Sequence, residues 1–318
     1  MTRKPHPVCR ATGNILGVPP GTVACSLLSS PLADGVTVDP ASCTRRGRAK
    51  FSAGNYVATL DWKPAPGLLF YGALRHGYKS GGFNSTSDFS GSQFIFTPEK
   101  LDDIELGLKV QQRLGNVDVR FNASGFHDWY DGLQLTSVLI DPVAGPQSLT
   151  QTVGKARLWG GEAELIVSPV HNLSLGATFN YFDGKFTRGT VIDSNTVARD
   201  VAGASYNSQP KFTYTLTGSY GIEVGNSKIT PSIFYSWRKG YFINFEEEPQ
   251  TFIPSYGLLN GRIEYTNVAD TQIDVAVYAR NITNKTYSLN STNGSAFGYV
   301  TRFFGEPRMY GIEASYRF

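Results

Sequence analysis

Residues Arg308-Met309-Tyr310-Gly311-Ile312-Glu313-Ala314-Ser315-Tyr316-Arg317-Phe318 decide how this chain is read. With period two, one side carries Tyr310, Ile312, Ala314, Tyr316 and Phe318, and the other carries Met309, Gly311, Glu313, Ser315 and Arg317. Successive strand side chains point to opposite faces, so this is a strand with one apolar and one polar side. It runs to the last residue, where soluble domains tend to fray. A closing strand of alternating aromatics expects to be held on both edges.

The same alternation recurs ten times upstream, over 55–62, 68–79, 103–110, 117–131, 161–167, 173–181, 212–220, 229–238, 259–265 and 273–280. Short turns at 63–67, 114–116, 169–172, 225–226 and 267–270 follow the odd-numbered strands. Long polar stretches at about 80–100, 136–150, 185–207, 241–254 and 285–305 follow the even ones. Eleven strands with short turns at one end and long loops at the other are the pattern of a transmembrane antiparallel β-barrel, with periplasmic turns and extracellular loops. Strands of about ten residues cross a bilayer with tilt, whereas the strands of a soluble sandwich are shorter.

Composition agrees. Phe 20, Tyr 17 and Gly 34 in 318 residues are high, and charged residues are only 17%. Mean hydropathy is −0.21, and no apolar run is long enough for a membrane helix. A barrel wall balances in this way because half its side chains meet lipid and half meet water. The net charge of +3 is scattered, which excludes a nucleic-acid footprint. Residues 1–49 lack periodicity and read as an irregular extracellular loop or disordered arm. All three cysteines (Cys9, Cys25, Cys43) lie there, and we expect one disulfide among them, with the pairing open. The first residues carry no apolar signal segment, so Met1 is not expected to be the true start.

Lipid then faces the apolar sets, such as Ile104/Leu106/Leu108 and Phe212/Tyr214/Leu216. Trp62, Trp129, Tyr181, Tyr220, Trp237, Tyr265 and Tyr316 form interface girdles. The opposite face is unusually charged, with Asp103, Glu105, Lys109, Asp118, Arg120, Glu162, Glu164, Arg262, Glu264, Asp274, Glu313 and Arg317. Unpaired in a narrow core these would be costly, so they call for a wide lumen or a polar plug. Eleven strands cannot close as a bacterial barrel of even strand number, and an open edge in lipid leaves backbone groups unsatisfied. The chain therefore reads as part of a larger wall. No catalytic case emerges: His6, His76, His127 and His171 are scattered, no nucleophile elbow occurs, and Glu162 with Glu164 suit plug or solvent contact better than acid–base work. Nothing calls for a metal or cofactor.

Several segments in sequence order resemble the TonB-dependent outer-membrane receptors. They are Leu68-Leu69-Phe70-Tyr71-Gly72-Ala73 through Gly77-Tyr78-Lys79-Ser80-Gly81-Gly82-Phe83-Asn84, then Phe96-Thr97-Pro98-Glu99-Lys100 with Glu105-Leu106-Gly107-Leu108-Lys109. Trp129-Tyr130-Asp131-Gly132-Leu133-Gln134, Ala279-Arg280-Asn281-Ile282-Thr283-Asn284-Lys285-Thr286-Tyr287 and the closing strand from Pro307 follow. The resemblance covers 51–318. It implies the C-terminal half of a 22-stranded, plugged barrel, with the plug domain, the TonB-binding segment and the N-terminal barrel half absent from this sequence. The implied function is uptake of a ferric siderophore or similar scarce large nutrient across the Gram-negative outer membrane, energised through the TonB complex by way of the plug. Tyr310, Ile312, Tyr316 and Phe318 resemble the signal read by the barrel-assembly machinery. Ligand contacts are expected from Arg75, Tyr78, Lys79, Trp129, Tyr130, Arg238, Tyr241, Phe242, Tyr299 and Arg302, since aromatic and basic side chains suit anionic chelates. A passive porin-like channel and a non-functional truncated remnant are the alternatives.

Overall fold

The computed structural model describes residues 36–39, 44–84, 95–141, 145–193, 197–205, 209–245, 247–294 and 299–317. The three cysteines, His6 and Phe318 lie outside them, so the expected disulfide and the terminal aromatic are not described. Eleven strands form one antiparallel sheet in chain order: β1 Tyr56–Ala65, β2 Leu68–Lys79, β3 Glu99–Leu114, β4 Val117–Asp141, β5 Gly145–Ser168, β6 Leu173–Ile192, β7 Phe212–Tyr220, β8 Ser227–Arg238, β9 Tyr256–Thr266, β10 Ile273–Arg280 and β11 Met309–Tyr316. Each strand pairs with its sequence neighbours, so the expected meander of eleven is present. Among the described residues β1 and β11 each have a ladder on one side only.

Turn chemistry explains the tight end. Each short connection contains a residue in the left-handed region: Gly67, Gly115, Asn172, Gly225 and Asn267. Glycine and asparagine take that conformation at least cost, and tight hairpins need it. Beside one of these turns, the Asn172 side chain donates to Glu223 at 2.9 Å, with His171 at 3.5 Å. Together they hold the Glu223 carboxyl below its usual range.

The register shows the sidedness directly. One row across the sheet reads Phe70, Leu108, Ala123, Ala163, Phe179, Tyr214 and Trp237. The neighbouring row on the other face reads Lys109, Asn122, Glu164, Thr178, Thr215 and Ser236. On the first face Leu106, Ile233, Ile263, Val277 and Ile312 all stand exposed. A continuous exposed apolar face of this extent is made for lipid. All seven girdle aromatics lie on it, and rings there pack together, Trp62 stacking on Phe70 at 5.3 Å and Trp159 tilted against Tyr181 at 5.1 Å.

The long connections depart from the sequence reading. The described residues of the stretch at 136–150 are strand, not loop: β4 and β5 pair to their ends, 25 and 24 residues long, and β6 reaches 20. Ladder shifts at Asp131–Gln134 and between Phe186 and Arg188 bend these strands partway up. Gly154 (φ 140°) and Gly189 (φ 150°) meet there so closely that a Cβ on Gly189 would sit 2.0 Å from the Val153 carbonyl oxygen. Gly189, within the stretch read as a loop at 185–207, is in fact paired with Gly154 beside a bulge. Beyond the bend, Leu133, Val153, Ala156, Phe186, Val191 and Val201 form a buried apolar nucleus, with Tyr130, Leu135, Ala204 and Phe245 packed against it. Phe245 comes from the β8–β9 connection, so two distant connections share one core.

Other loop segments also pair. Gly82–Phe83 meets Ile95–Phe96, Tyr241–Phe242 meets Phe252–Ile253, and Ser288–Gly294 meets Tyr299–Phe304. Within the arm expected to be irregular, Val36–Asp39 pairs with Thr44–Gly47.

Two substitutions probe this packing. Phe186 is 1% exposed at the centre of the nucleus, so Phe186→Ala is expected to cost about 3–5 kcal/mol. The check is amide hydrogen exchange, which should speed up across the upper parts of β4–β6 and not at β9–β11. A Cβ on Gly107 would lie 2.2 Å from the Tyr71 ring. Gly107→Ala should therefore lower the denaturation midpoint, by about 1–3 kcal/mol for an overpacked site. In a Tyr71→Ala background the same change should cost almost nothing.

Candidate functional site

The polar face is a network of charges held by the ladder. Same-face side chains on neighbouring strands stand about 5 Å apart, so register dictates who meets whom. Arg75 on β2 reaches Asp103 at 2.8 Å and Glu105 at 2.6 Å on β3. The Tyr71 hydroxyl donates to the same Glu105 at 2.6 Å, and Lys109 lies over the Tyr71 ring at 5.5 Å. Glu164 on β5 accepts from Asn122 at 2.9 Å and Arg120 at 3.2 Å on β4. Arg262 joins Glu313 at 2.6 Å and Glu264 at 3.3 Å. Arg317 meets Asp274 at 3.0 Å, and Arg113 lies 3.7 Å from Asp118.

All twelve residues read from the sequence as the charged face share this face. Ten are in ion pairs. Lys109 has only its ring contact, and Glu162, between Ser124 and Asn180, makes no ion pair among the described residues. Part of the charge load is thus answered within the wall, by neighbours that the sequence reading did not pair.

The ten residues expected to contact ligand divide into four groups. Trp129 and Tyr78 stand on the apolar face, and this corrects their assignment. The reason is the period-two rule: Tyr78 lies three positions from Arg75, and Trp129 shares its side with His127, on which it stacks at 4.1 Å. Arg75 and Lys79 are on the polar face, with Arg75 engaged by its two carboxylates. Tyr130 packs against the apolar nucleus.

The remaining five gather on the two connections above β8–β11. Arg238, at the end of β8, places its guanidinium 4.3 Å from the Tyr256 ring and 5.3 Å from the Tyr241 ring. It donates to the Ser288 carbonyl at 2.9 Å. Tyr256 packs on Tyr287 at 4.6 Å, and Phe242 on Phe252 at 5.0 Å. Arg302 donates to the Phe252 carbonyl at 3.3 Å, and Tyr299 stands exposed on the same hairpin. The Ser291 hydroxyl ties that hairpin to Gln250 at 3.2 Å. Phe242 and Arg302 meet at Phe252, while Arg238 and Tyr241 join one cation–aromatic cluster. Tyr256 and Tyr287 belong to it and were missed. Tyr256 is the register partner of Arg238, a signal legible only once the β8–β9 register is known. A cation between aromatic faces attracts planar, electron-rich, anionic groups.

Comparison with known proteins fits this architecture. The family model described as TonB dependent receptor-like, beta-barrel matches residues 33–282. The ferric-pyoverdine M114 receptor PbuA of Pseudomonas sp. (strain M114) is 28% identical over 212 residues, which is 65% of this chain and 23% of that protein. Among solved structures, the ferric yersiniabactin uptake receptor FyuA of Yersinia pestis superposes with a TM-score of 0.62 at 16% identity, over 81% of this chain and 36% of that one. The ferric preacinetobactin receptor BauA of Acinetobacter baumannii gives 0.57 at 22% identity, over 81% and 35%. The copper transporter OprC gives 0.62 at 15% identity, over 82% and 39%. These structural likenesses carry the fold alone, and the chain spans well under half the length of each of these proteins. A family match over 250 of 318 residues, on a sheet with a lipid face and an ion-paired face, decides the class: the chain belongs to the TonB-dependent receptor β-barrel family of the outer membrane.

Proposed function

We propose that this chain supplies eleven strands of the barrel wall of a receptor that takes up a ferric siderophore or a similar scarce large nutrient, energised through TonB. The observation that carries the ligand reading is the Arg238–Tyr241–Tyr256 cluster. It lies on the polar face at the end bearing the long connections, where a cation framed by rings suits an anionic, oxygen-rich chelate. The naming of PbuA as a ferric-pyoverdine receptor supports the same class of ligand. In this reading the long connections stand at the cell exterior and the short turns in the periplasm. The charged face lines the lumen, with Glu162 and Lys109 left to contact a plug domain. The two open edges are completed by an N-terminal barrel half, because lipid tolerates no unpaired edge. The terminal strand with Tyr310, Ile312, Tyr316 and Phe318 serves as the signal for the barrel-assembly machinery.

Uptake of iron-55 as ferric siderophore, by cells whose receptor carries this chain as its C-terminal wall, tests the reading. Uptake is expected to vanish without TonB. Flux that persists there would replace the receptor by a passive channel, and a chain that never enters the membrane beside its partner wall would mark a remnant. Binding gives a second check. Arg238→Ala is expected to weaken siderophore affinity by about tenfold or more, the scale of one charged hydrogen bond. Tyr256→Ala should weaken it less, and Trp129→Ala, on the opposite face, should leave it unchanged.

A further inference from the structure

On the polar face, where the ion-paired network gives way to the apolar nucleus, β3 and β4 set carboxylate against carboxylate. Asp103 and Asp128 are register partners, so their side chains start about 5 Å apart on one face. The Asp128 carboxyl lies within hydrogen-bond reach of Asp103. An ionised carboxylate has acceptor oxygens only, and a protonated one gains a single O–H donor. A hydrogen bond between the two therefore contains a proton.

The surroundings favour keeping it. Asp103 is only 9% exposed. The groups whose charge acts on Asp128 are Asp103, Glu105 and Arg75. Arg75 is the single cation among them, and it is already engaged by Asp103 at 2.8 Å and Glu105 at 2.6 Å. The Tyr71 hydroxyl is likewise held by Glu105. On the other side β5 offers Leu158, the buried register partner of Asp128. β6 adds Gly184 beyond it, with Phe182 and Phe186 on the same face. Along β4 the neighbours on this face are Phe126 and Tyr130, and Tyr130 packs against the nucleus. Lys79 and Glu99 partner each other two rows above, and Glu162 lies two rows below. Three carboxylates thus share one guanidinium at the foot of a hydrophobic core, and like charges so placed do not all ionise without cost.

We propose that Asp128 and Asp103 share one proton, and that this carboxyl–carboxylate bond is a pH-sensitive latch joining β3 and β4 at the base of the Phe186 nucleus. With the proton in place, Asp128 donates to Asp103, and Asp103 also accepts from Arg75. When the proton leaves, two carboxylates stand opposed beside Leu158 and the strands loosen there. Stability that depends on a proton bound in the folded wall is lost as pH rises, so the latch is closed in acid and opens toward alkali. Phe245 belongs to the same nucleus, so the loosening reaches the connection that frames Arg238. The latch does not depend on which nutrient the receptor carries.

The test follows the full chain in detergent micelles by amide hydrogen exchange and by pH-difference infrared spectroscopy. As pH rises, exchange around Asp103 and Asp128, corrected for its intrinsic pH dependence, is expected to quicken by about tenfold or more relative to β9–β11. The infrared carbonyl band of a protonated carboxyl should vanish over the same interval. Asp128→Asn still donates to Asp103 but cannot ionise, so it should lack the band and keep its protection at every pH. Asp103→Asn should also lose the band. Glu162→Gln, on the same face outside the pair, should change neither readout. If the Asp variants fail to fold, the unmodified chain still decides, because its band and its β3–β4 protection must disappear together. A protonated-carboxyl band that is absent, or that survives in both Asp variants, would overturn the latch. So would protection independent of pH. Protection restored at high pH by calcium chloride at constant ionic strength would put a cation in the place of the proton and overturn it as well.

Discussion

No water reaches the hydrocarbon of a bilayer to satisfy a stray amide, so every backbone N–H and C=O at that depth needs a partner within the protein. That demand produces the unbroken ladders from β1 to β11. The ladders in turn place each side chain. Once the register is set, Arg75 meets Asp103 and Glu105 and Arg120 meets Glu164 across neighbouring strands, while Arg262 reaches past β10 to Glu313. The exposed pairs among them, Arg120–Glu164 and Arg262–Glu313, add little stability alone. Their use is to let a charged face exist beside a lipid face in a sheet one residue thick.

Above the membrane the same ladders meet a different constraint. A strand that outgrows the bilayer must find another way to bury its apolar side chains. β4, β5 and β6 do so by bending at glycine bulges and closing on a nucleus around Phe186. The β8–β9 connection adds Phe245 to that nucleus, while its neighbouring residues frame Arg238. The candidate ligand cluster and the packed core at the long-connection end are thus tied through one segment of chain. The lower part of the wall is organised by lipid, and the upper part by an ordinary hydrophobic core.

Much of this was legible from pattern alone. Period-two alternation located all eleven strands, and Gly67, Gly115, Asn172 and Gly225 marked short turns. The face of each charged residue followed from the same period. Strand length was not legible where the stretches at 136–150 and 185–207 read as loops, because a glycine beside a bulge, such as Gly189, and a loop glycine share the same local chemistry. Tyr78 and Trp129 have the side-chain chemistry of a ligand contact, but the alternation that separates Tyr78 from Arg75 and Trp129 from Tyr130 puts them on the apolar face. The Arg238–Tyr256 contact and the Asp103–Asp128 opposition depend on cross-strand register, which no single segment encodes. Non-local pairing is where reading a lone sequence stops.

The number of strands carries a directional consequence. In a strict up-and-down meander of eleven, the first and last members point the same way, so β1 and β11 both travel toward the short-turn side. Among the described residues both still offer a free edge; all ten residues of β1 are exposed. Two copies inserted with the same orientation would therefore meet head-alongside-head at both seams, in parallel. Antiparallel seams would require an inverted copy, with its long connections on the wrong side of the membrane, or a different sheet with an odd count of strands pointing the other way. The wall thus has a built-in polarity that favours an unlike complement over its own duplicate.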